Sequence, residues 1–323
     1  MMGLLVNGEW KTDWYDTDAT GGRFEREAAG FRNWVTADGS PGPTGSGGFA
    51  AEAGRYHLYV SLACPWAHRT LIFRKLKGLE GLIDVTVTHP HMLDQGWTYP
   101  EPEPVNGARC HHQLYTLARP DHTGRVTVPL LWDKARRTIV SNESADIVRM
   151  FNSAFDPLTD NRDDYYPLPL REIIDAVNGR VYRDVNNGVY RCGFATTQAA
   201  YEEAYAELFA ALDWLEQVLG GQRWLAGRQL TEADWRLFTT LVRFDAVYYS
   251  HFKCNARRIE DYPNLANYLR ELYQHPGIAA TVDLNHIKQH YFYSHRQINP
   301  TGIVPLGPEL DYARAHDRGR LPG

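Results

Sequence analysis

The side chain with the most chemical reach in this chain is Cys64, in the stretch SLACPWAHRT that runs from Ser61 to Thr70. The residues before it, RYHLYVSL, alternate as a strand does, with Tyr56, Leu58 and Val60 on one face. The residues after it, CPWAHRTLIFRKLKG, read as a helix with Pro65 in the first turn and Gly78 at the end. A cysteine at that junction stands at a helix N-terminus. Unpaired N–H groups and the positive end of the dipole favour an anion there, which lowers a thiol pKa and populates the nucleophilic thiolate. Pro65 adds rigidity, because its ring sets the backbone at the first helical position. A small core residue and a metal ligand are the competing roles. The strand–Cys–Pro–helix context selects the nucleophile.

The position three residues on decides what kind of thiol chemistry is open. A disulfide oxidoreductase has a second cysteine there; this chain has Ala67. A mixed disulfide on Cys64 must therefore be released by an external thiol. Glutathione is the cytosolic candidate. The other cysteines, Cys110, Cys192 and Cys254, are far apart, so no disulfide framework is expected in a chain of this length without a secretion signal. Cys192, in a Gly-flanked segment two residues after Tyr190, reads as a structural thiol. Cys110-His111-His112 and His89-Pro90-His91 have metal-ligand types, but neither has a second pair at zinc-like spacing, so no metal site is expected.

The elements that must position Cys64 can be read outward from it. After the helix, IDVTVTHP gives a second strand from Ile83 to Thr88, which makes a right-handed βαβ unit with a parallel pair. A long Pro- and His-containing loop region from Met92 to Arg125 follows, longer than a plain connector. Val128–Trp132 and Thr138–Val140 are a strand pair around a polar turn, and a short helix runs from Glu143 to Met150 or a little beyond. Past the Pro-bracketed YYPLPL the pattern is helical throughout, with Ile173, Ile174, Val177, Val181 and Val185 at helical spacing and three further amphipathic stretches. Thr231 to Asp234 is a capping box, a folding signal without chemistry. The expected fold class is α/β plus all-α. It comprises an N-terminal extension at 1–50, flexible in composition with a few aromatic anchors, a βαβ–ββα domain at 51–165, and an all-helical domain with a C-terminal tail at 166–323.

Composition bounds the rest. With 43% hydrophobic residues, 23% charged residues and a net charge of −5, the 323 residues suit a globular protein with a sizeable core and no basic stripe for nucleic acid. No apolar run approaches the roughly 20 residues of a membrane span. The start, MMGLLVNGEWKTDWYD, lacks a signal peptide's apolar segment, so a cytoplasmic location is expected.

The C-P-x-A helix start, the VTVP before a strand and the ES that opens a helix resemble the glutathione-site framework of thioredoxin-fold glutathione transferases. Further stretches, among them GWTYPEPE, NNGVYRCGFATTQ and HIKQHYFYSHRQINPTGIVP, narrow the resemblance to glutathionyl-hydroquinone reductases, the Xi class of these transferases. It extends from residue 5 to residue 308.

That resemblance implies a site, residue by residue. Cys64 matches the catalytic thiolate. Val128-Pro129 matches the cis-proline position, whose Val128 backbone pairs with the cysteinyl part of glutathione. Glu143-Ser144 matches the pair that holds the γ-glutamyl group, Trp97 the tryptophan beside glutathione, and Arg125 is assigned to the glycine carboxylate. Tyr190 and Tyr291 match two substrate-facing tyrosines, with Tyr293 as the alternative to Tyr291. The implied reaction is glutathione-dependent reduction of glutathionyl-hydroquinones through a Cys64–glutathione mixed disulfide, with glutathione as co-substrate, no metal, and a homodimer as the assembly. An omega-like thioltransferase or dehalogenating reductase and a non-catalytic binding module are the alternatives. The stretches around Tyr190 and Tyr291 weigh against the first, and the intact Cys64 against the second.

Overall fold

Short strands in the first fifty residues take the place of the flexible arm that their composition predicts. The structure, a computed structural model, describes residues 3–323. β1 (Leu4–Val6) and β2 (Glu9–Lys11) form a hairpin whose turn residues, Asn7 and Gly8, both have positive φ. β3 (Trp34–Thr36) pairs in parallel with β4 (Gly48–Ala50).

β5 (Tyr56–Val60), α1 (Pro65–Leu76) and β6 (Asp84–Val87) follow as the expected βαβ unit, with β5 and β6 parallel. The region from Met92 to Arg125, read as loop, contains the seven-residue helix α2 (His112–Ala118) and the two-residue strand β7 (Gly124–Arg125). Both are too short to leave a periodic apolar face. β7 pairs with β1, Leu4 opposite Arg125, which explains why the N-terminal strands cannot be seen locally. β8 (Leu130–Asp133), β9 (Thr138–Ser141) and α3 (Ser144–Ser153) complete a thioredoxin-like domain whose sheet order is β6-β5-β8-β9.

β5 is buried at every position, because both faces of the sheet are covered. Tyr56 meets Phe155 beyond the end of α3, while Tyr59 joins Leu114 and Tyr115 of α2, Trp132 and Leu5 in one apolar cluster. Since β5 runs parallel to β6 and antiparallel to β8, the C-terminal ends of β5, β6 and β9 and the start of β8 lie at one edge of the sheet. Each connection that carries a candidate residue emerges there.

The second unit is helical. It holds α4 (Arg171–Arg180), α5 (Gly188–Phe194), α6 (Gln198–Gly221), α7 (Glu232–Arg243), the single turn α8 (Tyr249–His251) and α9 (Pro263–Tyr273). A π-helical turn, Val181–Asn186, separates α4 from α5. Of the spaced apolar residues in α4 and this turn, Ile174, Val177, Val181 and Val185 are buried, whereas Ile173 is exposed at the margin of that face. Asp234, in the first turn of α7, accepts from the N–H groups of Thr231 and Leu225 and from the Tyr268 hydroxyl, each at 2.8 Å.

The chain divides into two compact units that interleave in sequence. The first takes the segment ending at Trp14, Glu27–Asp164 and Asn285–Arg296; the second takes Tyr15–Arg26, Tyr165–Leu284 and Gln297–Gly323. Tyr15–Arg26 is stitched to the helices by Thr196 N–H on Gly22 O at 3.1 Å and by an Arg23–Glu203 ion pair at 2.7 Å. The last helix, α10 (Leu284–Ser294), carries HIKQHYFYS and lies largely in the first unit. No helix among the described residues is long and apolar enough to cross a membrane.

Candidate active site

β5 ends at Val60, and a tight turn delivers the next residues to α1. Ser61 builds that turn: its carbonyl accepts from Cys64 N–H at 3.1 Å and its hydroxyl from Ala63 N–H at 3.3 Å. Cys64 is the N-cap of α1, in extended backbone, and its carbonyl takes the first helical hydrogen bond, from His68 N–H at 3.0 Å. Pro65 follows in the first turn, and Ala67 is fully buried where a second cysteine would stand. The Cys64 thiol is partly exposed and donates to Val128 O at 3.4 Å. That contact belongs to the protonated form; a thiolate at the same point faces the helix N-terminal dipole instead.

Val128–Pro129 is a cis peptide, placed directly before β8. Its approach is braced by groups that the sequence left without a role. Thr127 O accepts from the Tyr115 hydroxyl at 2.9 Å and lies 3.0 Å from His111 Nε2. His111 is fully buried, and burial pushes its pKa down to about 4, so the ring is neutral near pH 7. Nδ1 lies 2.6 Å from the Tyr99 hydroxyl. The ring can therefore accept from Tyr99 and donate to Thr127 at once. Asn142 closes the network: its side-chain N–H donates to Tyr115 Oη, and its Oδ1 accepts from Phe31 N–H. His111 of the CHH run thus serves as a hydrogen-bonding brace.

Helix α3 begins one residue later than the pattern predicts, because Glu143 is its N-cap and Ser144 its first residue. The Glu143 carboxylate accepts from Ala145 N–H at 2.9 Å, a bond that holds it at the positive end of α3. In the same first turn Asp146 receives a forked pair from Arg32, at 2.7 and 2.8 Å, which raises the Arg32 pKa. Ser144 is buried beside Glu143.

Trp97 lies in the loop after β6 and stacks on His290 of α10, with ring centroids 4.8 Å apart and planes 18° apart. Its carbonyl accepts from His111 N–H at 2.8 Å. From the other side the N-terminal hairpin grips the same loop: Trp10 Nε1 donates to Asp94 O at 2.8 Å, and its ring stacks on His112 at 4.7 Å. Arg125, assigned from sequence to a glutathione carboxylate, directs Nε to Glu27 Oε1 and its two terminal nitrogens to Asp13 O and Trp14 O, at 3.2, 2.6 and 3.1 Å. Three of its five N–H groups are thereby turned toward the N-terminal segment.

Tyr291 and Tyr293 have different surroundings. Tyr291 is buried, edge-on to His290 and His295. Tyr293 lies flat on His91 at 3.9 Å with the Arg296 guanidinium on it at 4.2 Å. His290 Nδ1 meets Pro90 O at 2.9 Å, and Met92 N–H donates to Ser294 Oγ at 3.0 Å, so α10 is docked on the HPH loop. Tyr190 stands on α5 in the helical unit, among Phe24, Phe194 and Phe252 and beneath the Arg26 guanidinium at 5.1 Å. Cys192 is buried, and so is its hydrogen-bond partner Cys254, whose thiol pKa burial pushes well up.

The structure joins Cys64 to Val128 directly, sets Glu143-Ser144 and Trp97 on connections at the same sheet edge, and places Tyr291 next to the ring that stacks on Trp97. Tyr190 belongs to the other unit. None of the four cysteines is in a disulfide, and among the described residues no group of three or more His, Cys, Asp or Glu is placed to hold a metal ion.

Residues 63–154 match the glutathione S-transferase N-terminal domain and residues 198–271 the glutathione S-transferase C-terminal domain. The chain is 59% identical to the glutathionyl-hydroquinone reductase YqjG of Escherichia coli K12, covering 98% of each chain. A glutathione-bound structure of YqjG superposes with a TM-score of 0.89, at 56% identity, over 98% of this chain and 99% of that one. A Xi class transferase from Natrialba magadii gives a TM-score of 0.90, at 48% identity, over 100% of this chain and 98% of that one.

Proposed function

The chain belongs to the glutathionyl-hydroquinone reductases, the Xi class of the glutathione transferases, and from that membership we propose that it reduces glutathionyl-hydroquinones with glutathione as co-substrate. The observation that carries the reading is Cys64 as N-cap of α1, 3.4 Å from Val128 O of the cis Val128–Pro129 bond, with no thiol at position 67.

In this reading glutathione lies along the sheet edge. Val128 pairs with its cysteinyl backbone, and the N-terminus of α3 at Glu143-Ser144 takes the γ-glutamyl group, by the same logic that places anions at helix starts. Trp97, held flat by His290, covers the tripeptide. Arg125 is assigned to the glycine carboxylate, a role it combines with its bonds to the N-terminal segment.

The Cys64 thiolate attacks the glutathione sulfur of the conjugate. The S–S bond forms as the aryl C–S bond breaks, and the bonding pair goes to the aryl carbon, which takes up a proton. Hydroquinone leaves, and Cys64–S–SG remains. A second glutathione thiolate attacks the glutathione sulfur of that disulfide, releasing oxidised glutathione and restoring the Cys64 thiolate. Tyr190 and Tyr291 hold the hydroquinone oxygens and assist the proton transfer. The reduced glutathione that the second step draws on suits a cytoplasmic location, and a homodimer is the assembly proposed from the family.

The test is glutathionyl-menadiol plus glutathione, with wild type and Cys64→Ser compared. Wild type releases menadiol and oxidised glutathione in equal amounts, and mass spectrometry finds one glutathione on Cys64 when the second thiol is withheld. Absence of menadiol release by wild type would refute the function. Equal release by the serine variant would refute the mechanism.

A further inference from the structure

Beside Tyr190, wholly within the helical unit, is a cavity of about 380 Å³. Four arginines line it, Arg23, Arg26, Arg183 and Arg191, with one acidic residue, Glu25. Phe24 and Tyr182 supply flat walls. Resting on the reading of Tyr190 as a hydroquinone-facing residue, we propose that this cavity is a subsite for an acidic substituent on the hydroquinone, so that conjugates with a carboxylate-bearing ring substituent are a preferred substrate class.

Three of the arginines are fixed by carboxylates outside the lining. Arg23 is paired with Glu203 at 2.7 Å, Arg183 with Asp184 at 2.6 Å and Arg191 with Glu207 at 2.5 Å. A guanidinium has five N–H groups, and a forked pair uses two, so an arginine held in this way still presents donors. These pairs therefore hold cations around the cavity as well as neutralising them. Arg26 connects the cavity to the phenol. Its Nε donates to the neutral Asn187 Oδ1 at 3.2 Å, and its guanidinium lies over the rings of Tyr190 and Phe24, at 5.1 and 5.4 Å.

The shape of the receptor selects the ligand. A carboxylate is planar and matches a guanidinium with two parallel hydrogen bonds. The volume lies in the range of small-molecule sites, roughly 300–1,000 Å³. Aromatic walls accept the ring edge that bears the acid, which a bare inorganic anion cannot use. The segment Tyr15–Arg26 supplies Arg23, Phe24, Glu25 and Arg26, giving this part of the N-terminal region a role in specificity.

The experiment compares two conjugates that differ in one charge: the glutathione conjugate of carboxymethyl-hydroquinone and the methyl ester of its ring substituent. Wild type is expected to favour the acid by about tenfold in kcat/KM at low salt, the size of one hydrogen bond to a charged group. The preference should shrink as salt rises. Arg26→Gln and the well-exposed Arg183→Gln should each move the acid-to-ester ratio toward one. Equal use of acid and ester by wild type, or a preference that survives both substitutions, would overturn the subsite. If wild type reduces glutathionyl-menadiol but does not distinguish acid from ester, the subsite fails alone. If it reduces none of the three conjugates, the proposed function fails and the subsite with it.

Discussion

Gly96→Ala tests whether the N-terminal hairpin sets the position of Trp97. Gly96 has φ +64, and a Cβ there would come within 2.7 and 2.9 Å of the Trp10 ring. Trp10 cannot yield without cost, because Nε1 is bonded to Asp94 O and the ring lies on His112. Left-handed backbone costs an alanine about 1 kcal/mol, and forcing a methyl group into a packed ring costs about 1–3 kcal/mol more. Opening of the loop is the cheaper response, and it separates Trp97 from His290. A closed loop disfavoured by about 2 kcal/mol lowers apparent glutathione affinity roughly 30-fold. Steady-state kinetics should show KM for glutathione raised by at least about tenfold and kcat changed by less than about threefold, with a loss of a few degrees in Tm. Adding Trp10→Ala to Gly96→Ala should remove the steric part, so the two changes should be non-additive in a double-mutant cycle. Unchanged KM and Tm in the single variant, or simple additivity in the double, would refute the reasoning.

Three further outcomes are expected. Arg125→Ala removes the bonds to Asp13, Trp14 and Glu27, so residues 3–14 should become protease-sensitive and stability should fall by about 2 kcal/mol, with or without glutathione. A variant of unchanged stability with only a raised glutathione KM would assign Arg125 to the carboxylate instead. His111 has a folded pKa of about 4, below the ordinary 6.5, so its neutral form contributes stability above pH 6.5 that is lost as pH falls through 4. Urea unfolding of wild type and His111→Gln should differ less at pH 4 than at pH 7, by on the order of 2 kcal/mol, and a pH-independent difference would count against the brace. Tyr190→Phe and Tyr291→Phe should each slow single-turnover menadiol release by about tenfold or more while leaving the reduction of Cys64–S–SG by glutathione unchanged. Equal slowing of both half-reactions would remove them from the hydroquinone step.

Much of the Cys64 region was legible because its determinants are local. A strand of alternating residues, a proline in a first turn and a glycine at a helix end specify where α1 starts, and so place Cys64 at its N-cap. The two-domain architecture was legible for a similar reason: period-2 and period-3.6 patterns persist over whole elements. The N-terminal strands were not, since β1 completes its hydrogen bonding on Arg125 and Gly124, far along the chain. His111 was left without a role, since residue type alone does not reveal a hydrogen-bond brace, and only burial between Tyr99 and Thr127 shows it.

Sequence alone determined the place of Cys64 at a helix start, its lack of a local resolving thiol and the order of the elements that present it, because each depends on neighbours within a few residues. The tertiary structure decided where the long side chains go. Arg125 turns to the N-terminal segment, Trp97 is held between Trp10's loop contacts and His290, and Arg26 lies over Tyr190. A guanidinium or an aromatic ring can satisfy many partners, so the choice follows from which segments the fold brings within reach.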